Sequence, residues 1–124
     1  MIIKTTKEIG IDLHSDKKAI VEFEYSYERT GNGLRVTVRP FAPQMVQGMG
    51  GELIEARQPV KGAETVRQYN SEEVVGIIDA IKEITEPNDN PLIYMDNLVA
   101  NGIKLIIMSE GLWKGELTIN DFEG

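Results

Sequence analysis

Residues 18–39 have the sequence KAIVEFEYSYERTGNGLRVTVR, and their alternation of apolar and polar side chains decides the fold. Apolar side chains occupy every second position from Ala19 to Tyr27 and again from Leu34 to Val38, the period of a half-buried β-strand. Between these runs, residues 30–33 (TGNG) favour a tight turn. The stretch therefore predicts a β-hairpin.

The side chains also predict the register of this hairpin. Pairing the residues symmetrically about the turn matches opposite charges on one face and tyrosine with valine on the other, which stabilises antiparallel ladders. The predicted pairs are Glu28 with Arg35, Ser26 with Thr37, Glu24 with Arg39, Tyr27 with Val36, and Tyr25 with Val38. A shift of one residue would turn every apolar side chain to the wrong face.

Further strands are predicted before and after the hairpin. The stretches with strand-like composition are residues 9–13, 52–57 and 64–69, with a turn at residues 60–63. Pro40 and Pro43 predict the end of the second hairpin strand, because proline cannot donate to a ladder. The glycine-rich residues 45–51 then predict a mobile loop.

One helix is indicated by its first turn. Asn70 is a good capping residue, and Glu73 stands three residues later, as in a capping box. Apolar residues then recur at helical spacing from Val74 to Ile84, which predicts a helix from residue 71 to about residue 85. Asn90 and Pro91 predict a second short helix over residues 92–100, ended by Asn101 and Gly102, with a strand as the alternative for that segment.

The C-terminal part predicts two more strands. Residues 103–108 are apolar at five of six positions, which is typical of an inner strand, and a turn at residues 110–112 would place Leu105 opposite Leu117 and Ile103 opposite Ile119. The chain is therefore predicted to be a single α+β domain over residues 1–124. It would contain a mainly antiparallel sheet of about five to seven strands, one principal amphipathic helix on one face and a second short helix.

Length and composition fit one soluble domain. The chain has 124 residues, of which 41% are hydrophobic and 27% are charged, close to the average of globular proteins. It contains no cysteine, and no apolar run reaches the ~18 residues of a membrane helix. We therefore expect a cytoplasmic protein without disulfides, membrane segments or an export signal.

The charge balance favours a protein partner. Twenty acidic and thirteen basic residues give a formal charge of -7, which repels nucleic-acid backbones and anionic membranes. Because the outer face of the hairpin balances its own charges, the acidic surface is expected on the first helix, over residues 71–85, or at the C-terminal Asp121 and Glu123. Partner contacts are predicted at Met49, Glu72, Asp79 and Glu83. Solubility alone is the competing explanation of the charge.

The sequence offers little metal-binding or catalytic chemistry. His14, the only histidine, lies between Asp12 and Asp16 at alternate positions, so a strand would bring these three side chains to one face. Lys17 and Lys18 follow at once and would repel a cation, so a solvated strand end is the preferred interpretation. Without cysteine and with one histidine, nucleophilic triads are disfavoured. We assign no catalytic residue, no metal and no cofactor.

One ligand site is suggested by the arginines on the predicted strands. If neighbouring strands bring them together, they would bind a phosphate or carboxylate group, and an aromatic side chain would stack on a planar ligand. The residues in question are Arg35, Arg39, Arg57, Arg67 and Tyr69. Surface pairing of these arginines with Glu22, Glu24, Glu28 and Glu55 is the competing interpretation.

Three functional hypotheses follow. The first is a small interaction protein without catalytic activity, such as an inhibitor or immunity-type protein that binds a larger partner. The second is a domain that binds or sequesters an anionic or nucleotide-like small molecule. The third is a structural subunit of a phage or other assembly, and exposed sheet edges would allow a homo-oligomer.

Overall fold

The predicted hairpin forms the middle of a five-stranded antiparallel sheet in a computed structural model that describes residues 1–123. The elements in chain order are β1 (Ile2–Lys4), β2 (Ile9–Gly10), β3 (Lys18–Ala19), β4 (Glu22–Thr30), β5 (Gly33–Gln47), β6 (Leu53–Pro59), β7 (Thr65–Tyr69), α1 (Ser71–Ile84), α2 (Pro91–Ser109) and a 3₁₀ helix (Ile119–Asp121). The strand order is β1-β4-β5-β6, β7 pairs with the first half of β5, and β2 and β3 form a separate small sheet. The predicted α+β class is confirmed.

The predicted register of the hairpin is also confirmed. All five predicted pairs are found between β4 and β5. The strand β4 begins at Glu22, later than predicted, because Ala19 pairs with Ile9 in the small sheet. The side chains of Phe23, Tyr25 and Val38 are buried on one face, as the alternation requires.

The predicted end of the second strand at Pro40 and Pro43 is wrong, because β5 continues through both prolines to Gln47. Successive residues of a strand direct their N–H and C=O groups alternately to its two neighbours. The Pro40 carbonyl accepts from the Val60 N–H (2.9 Å), and the Val60 carbonyl accepts instead from the Ala63 N–H (3.2 Å). The backbone nitrogen of Pro43 points to the other edge of β5, towards β4, but the pairing with β4 ends at Phe41. Both prolines therefore lie where the ladder needs no donor.

The glycine-rich connection begins later than predicted, because β5 extends to Gln47 and residues 48–52 connect it to β6. The Gly48 N–H donates to the Glu52 carbonyl (2.7 Å), and the Gly51 N–H donates to the Gly48 carbonyl (3.0 Å). Gly51 has a φ of 84°, which an L side chain rarely adopts. The strands predicted at residues 52–57 and 64–69 are confirmed as β6 and β7.

The capping box predicted for the first helix is present. The Asn70 side chain accepts from the Glu73 N–H (2.9 Å), and the Glu73 carboxylate accepts from the Asn70 N–H (3.2 Å). The helix α1 ends at Ile84, where Thr85 takes an extended conformation. Its hydroxyl donates to the Ile81 carbonyl (2.6 Å), so the last turn is closed by a side chain.

The second helix is longer than predicted, and both the strand predicted at residues 103–108 and the C-terminal hairpin are wrong. These residues belong to α2, because a short apolar run fits a buried helix as well as an inner strand. Gly102 does not end the helix. It lies where α1 and α2 touch, and a Cβ at this position would be 2.8 Å from Cδ1 of Ile81. After α2 the chain turns back, and the Trp113 indole N–H donates to the Gly10 carbonyl (2.8 Å).

The core lies between the helices and one face of the sheet. Phe23 is almost fully buried, and the ring of Trp113 meets it edge-on at 5.3 Å between ring centres. The isoleucines of the second half of α2 pack into the same core. The helix α2 is long and apolar enough, by length and composition, to cross a membrane, but a core helix of a soluble protein has the same composition.

The contact at Gly102 can be tested with the same substitution at two helical glycines. Gly76→Ala, where a Cβ meets nothing within 4 Å, is expected to stabilise the protein by about 1 kcal/mol through helix propensity. In Gly102→Ala the new methyl group would lie 2.8 Å from Cδ1 of Ile81, so this side chain has to shift and part of the gain from helix propensity is lost; we therefore expect a smaller stabilisation than in Gly76→Ala. Urea unfolding measures both values, and equal gains would contradict the proposed close contact.

Candidate functional site

Three of the predicted ligand arginines lie on the exposed outer face of the sheet. The Arg35 guanidinium is 3.1 Å from the Glu28 carboxylate, and that of Arg39 is 3.4 Å from the Glu64 carboxylate. Glu28 is one of the glutamates named by the competing interpretation, whereas Glu64, which directly precedes β7, is not. Such exposed pairs contribute little stability, but they neutralise the charge that an anionic ligand would need.

Arg57 is the most completely paired of these arginines. Its guanidinium lies 2.6 Å from the Glu24 carboxylate and 3.7 Å from that of Glu22, so it reaches from β6 across β5 to β4. On the way it covers the ring of Phe41, with 4.0 Å between the guanidinium carbon and the ring centre. The outer face is thus a layer of cross-strand pairs.

Arg67 and Tyr69 lie on the opposite face, because Arg67 is the register partner of the buried Val36. The Arg67 guanidinium lies 3.0 Å from the Glu110 carboxylate at the end of α2 and 5.2 Å from the centre of the Tyr69 ring. Burial raises the pKa of the Tyr69 phenol. The structure therefore does not bring the five predicted ligand residues into one site.

The candidate metal residues lie in a turn and not on a strand. The strand predicted over residues 9–13 is found only at Ile9–Gly10. The Asp12 carboxylate accepts from the His14 N–H (2.9 Å) and from the Ser15 hydroxyl (3.1 Å), and the bond from His14 lowers the pKa of Asp12. Asp16 is exposed in the same turn. Within residues 1–123, no group of three His, Cys, Asp or Glu side chains is placed to hold a metal ion.

The predicted partner contacts divide between two surfaces. Met49 is fully exposed at the tip of the turn between β5 and β6. Glu72, Asp79 and Glu83 are exposed on α1, seven and four residues apart, and this spacing places them on one side of the helix. The acidic stripe on α1 and the apolar tip at Met49 are therefore separate features.

The acidic excess of the chain is concentrated on the helical layer. Residues 71–96 contain seven acidic residues and one lysine, which gives this segment a formal charge of -6 out of -7 for the whole chain. The acidic residues are Glu72, Glu73, Asp79, Glu83, Glu86, Asp89 and Asp96. Burial raises the pKa of the Tyr25 phenol, and the negative charge of Asp96 raises it further.

The same layer contains an apolar cleft between α1, α2 and the sheet. Its volume is about 230 Å³, and its lining is almost entirely apolar. Tyr27 and Ile78 lie in this lining and remain 50% and 42% exposed, so they form its rim. Neighbouring helical positions extend this apolar surface to Val75 on α1 and to Met95 on α2. We define the helical contact face as this apolar surface together with the acidic stripe beside it on α1. Its residues are Tyr27, Val75, Ile78, Leu92, Met95, Glu72, Asp79 and Glu83.

Sequence reasoning missed two features of this layer. The sequence places Leu92 and Met95 in a short helix and gives no sign that α2 leaves them 68% and 55% exposed. Lys104 is the one charged residue in the apolar run 103–108, and a single charge within such a run is a signal that the prediction of an inner strand does not use. In the structure Lys104 is buried and lines a second, more polar cleft.

Comparison of the chain with protein-family models, with curated proteins and with solved structures finds no match.

Proposed function

We propose that the protein is a cytoplasmic, non-catalytic binding protein that docks a basic, amphipathic segment of a larger protein on its helical contact face. The observation that supports this proposal is the coincidence of two properties on one layer. The segment 71–96 carries nearly all of the net charge, and it also exposes several large apolar side chains. An inhibitor or immunity-type protein that covers a basic surface of its target has these properties.

The negative charge of the helical contact face favours a basic partner. A formal charge of -6 attracts a lysine- or arginine-rich surface and repels both nucleic acid and a second copy of the same face. The outer face of the sheet offers no comparable field, because its arginines and glutamates are paired with each other. A basic partner would therefore approach the helical layer first.

The apolar cleft would provide the anchor. A volume of about 230 Å³ is below the usual range of small-molecule sites, but it suits an apolar side chain of a partner. Apolar anchors in a desolvated pocket, surrounded by polar contacts, commonly dominate the affinity of protein interfaces. Here Tyr27 and Ile78 would surround the anchor, and the carboxylates of α1 would contact the basic residues beside it.

A pair of synthetic helical peptides tests this proposal. Both carry leucine and phenylalanine on one side, and the other side is lysine in one peptide and glutamate in its match. We expect fluorescence anisotropy to show binding of the lysine peptide alone, with affinity that falls as salt increases. Ile78→Ser should weaken this binding about tenfold through lost apolar contact, and Asp79→Lys should weaken it through charge.

Matched controls separate the face from the rest of the surface. Val66→Ser removes a 56% exposed apolar side chain from the outer face of the sheet, and Asp16→Lys reverses an exposed charge in the N-terminal turn. Neither change should alter binding. Equal affinity for the glutamate peptide, or equal losses in the control variants, would refute the proposal. The same four variants can then be used as baits in extracts of the native host. A true partner should co-purify with the two control variants and be lost with Ile78→Ser and Asp79→Lys.

A second candidate function, as a subunit of an assembly, is favoured by the exposed ribbon of residues 43–59. None of these residues is buried. Met45, Leu53 and Ile54 expose apolar side chains there, and within residues 1–123 no strand pairs with β5 beyond Phe41 on its β4 side. Such an open edge pairs readily with another strand. Because the ribbon is nearly neutral, a second copy of the chain would not be repelled there.

Light scattering over a range of protein concentrations tests this second candidate. We expect the chain to associate as concentration rises and Leu53→Lys to remain monomeric, because a lysine on an exposed strand opposes edge pairing. Leu13→Lys is the matched control, since Leu13 is 81% exposed outside the ribbon. A strict monomer at all concentrations, or equal effects of the two variants, would reject the assembly role.

A further inference from the structure

Lys104 is the one lysine that the fold buries among residues 1–123, with 4% of its surface exposed. No ion pair or side-chain hydrogen bond joins its ammonium group to another of these residues. Because no side-chain nitrogen in this part of the chain is both sealed from solvent and without a partner, the ammonium group must still reach solvent. A lysine that buries its stem so completely and has no counter-ion at its charged end is uncommon in folded proteins.

Lys104 lines a cleft of about 450 Å³ between the end of α1, the middle of α2 and the 3₁₀ helix. Amide and hydroxyl groups surround it, from Asn97, Asn101, Asn120 and Thr85. The Asn101 amide is held in place because it donates to the Thr85 hydroxyl (2.9 Å), which itself donates to the Ile81 carbonyl (2.6 Å). The cleft therefore combines one cation with fixed and adjustable hydrogen-bond donors.

We propose that this cleft binds a small organic monocarboxylate, with Lys104 as its counter-ion and the asparagine amides as further donors. An ammonium group and amide N–H groups are the donors that a carboxylate accepts from. A volume of about 450 Å³ lies within the range of small-molecule sites. Burial also lowers the pKa of Lys104, and a bound anion would relieve this cost.

The surroundings select for a single negative charge. Glu86 lines the same cleft, and Asp89 follows it in the connection between the helices. The Glu86 carboxylate opposes any anion in the cleft, and it opposes a phosphate dianion more strongly than a monocarboxylate, which carries half the charge. This site is independent of the helical contact face, because it lies at the other side of α2, around Asn97 and Lys104.

Nuclear magnetic resonance titration of the labelled protein tests the proposal with sodium acetate, sodium butyrate and sodium phosphate at constant ionic strength. We expect both carboxylates to cause saturable shifts at the side-chain amides of Asn97 and Asn101, and phosphate to bind more weakly. Lys104→Met keeps the buried stem and removes the charge, so it should weaken carboxylate binding at least about tenfold. Lys82→Met, at an exposed lysine of α1, should leave it unchanged.

A second measurement needs no variant. The Lys104 side-chain carbon resonance followed against pH should show a higher pKa in the presence of acetate, because the anion stabilises the charged form. This titration decides the matter if Lys104→Met fails to fold. Absence of saturable shifts in the native protein, an unchanged Lys104 pKa, or phosphate binding as tight as acetate binding would overturn the proposal.

Discussion

The backbone hydrogen bonding of β5 is the constraint on which the rest of the structure depends. This single strand pairs with β4 along one edge and with β7 and then β6 along the other. Its first half places Val36 and Val38 under the helices, whereas its second half leaves the domain as part of the exposed ribbon. The partner strands, the core and the ribbon are therefore all positioned by one element.

The helices cover the face of the sheet that carries Val36 and Val38, so the domain has two different surfaces, the outer face of the sheet and the helical layer. On the outer face the strands place arginine opposite glutamate, so charge is cancelled locally and no strong field extends into solvent. The helical layer has no such partner, because α1 and the connection to α2 are almost purely acidic. The proposed docking of a basic partner on the helical layer rests on this contrast between the two faces more than on the total charge.

The parts that sequence reasoning predicts well are those with a local physical signature. The hairpin register follows from pairs across one turn, and the start of α1 follows from two side chains three residues apart. The predictions failed where a signature is ambiguous or depends on distant residues. An apolar run does not distinguish a buried helix from an inner strand, and a glycine such as Gly102 ends a helix or admits a neighbour depending on what lies beside it. The separation of Arg67 from the other arginines depends on the pairing of β7, which no local pattern reveals.

Pro40 has a further consequence for the specificity of strand pairing. If β6 slipped by two residues along β5, every side chain would keep its face, so alternation alone does not choose between these registers. One such slip would put Pro40 opposite Gln58, whose carbonyl would then lose its donor within the ladder. In the native register Pro40 lies opposite Val60, whose carbonyl already accepts from Ala63. A proline inside the strand thus acts together with the following turn as a register lock, excluding misaligned states that the hydrophobic pattern would tolerate.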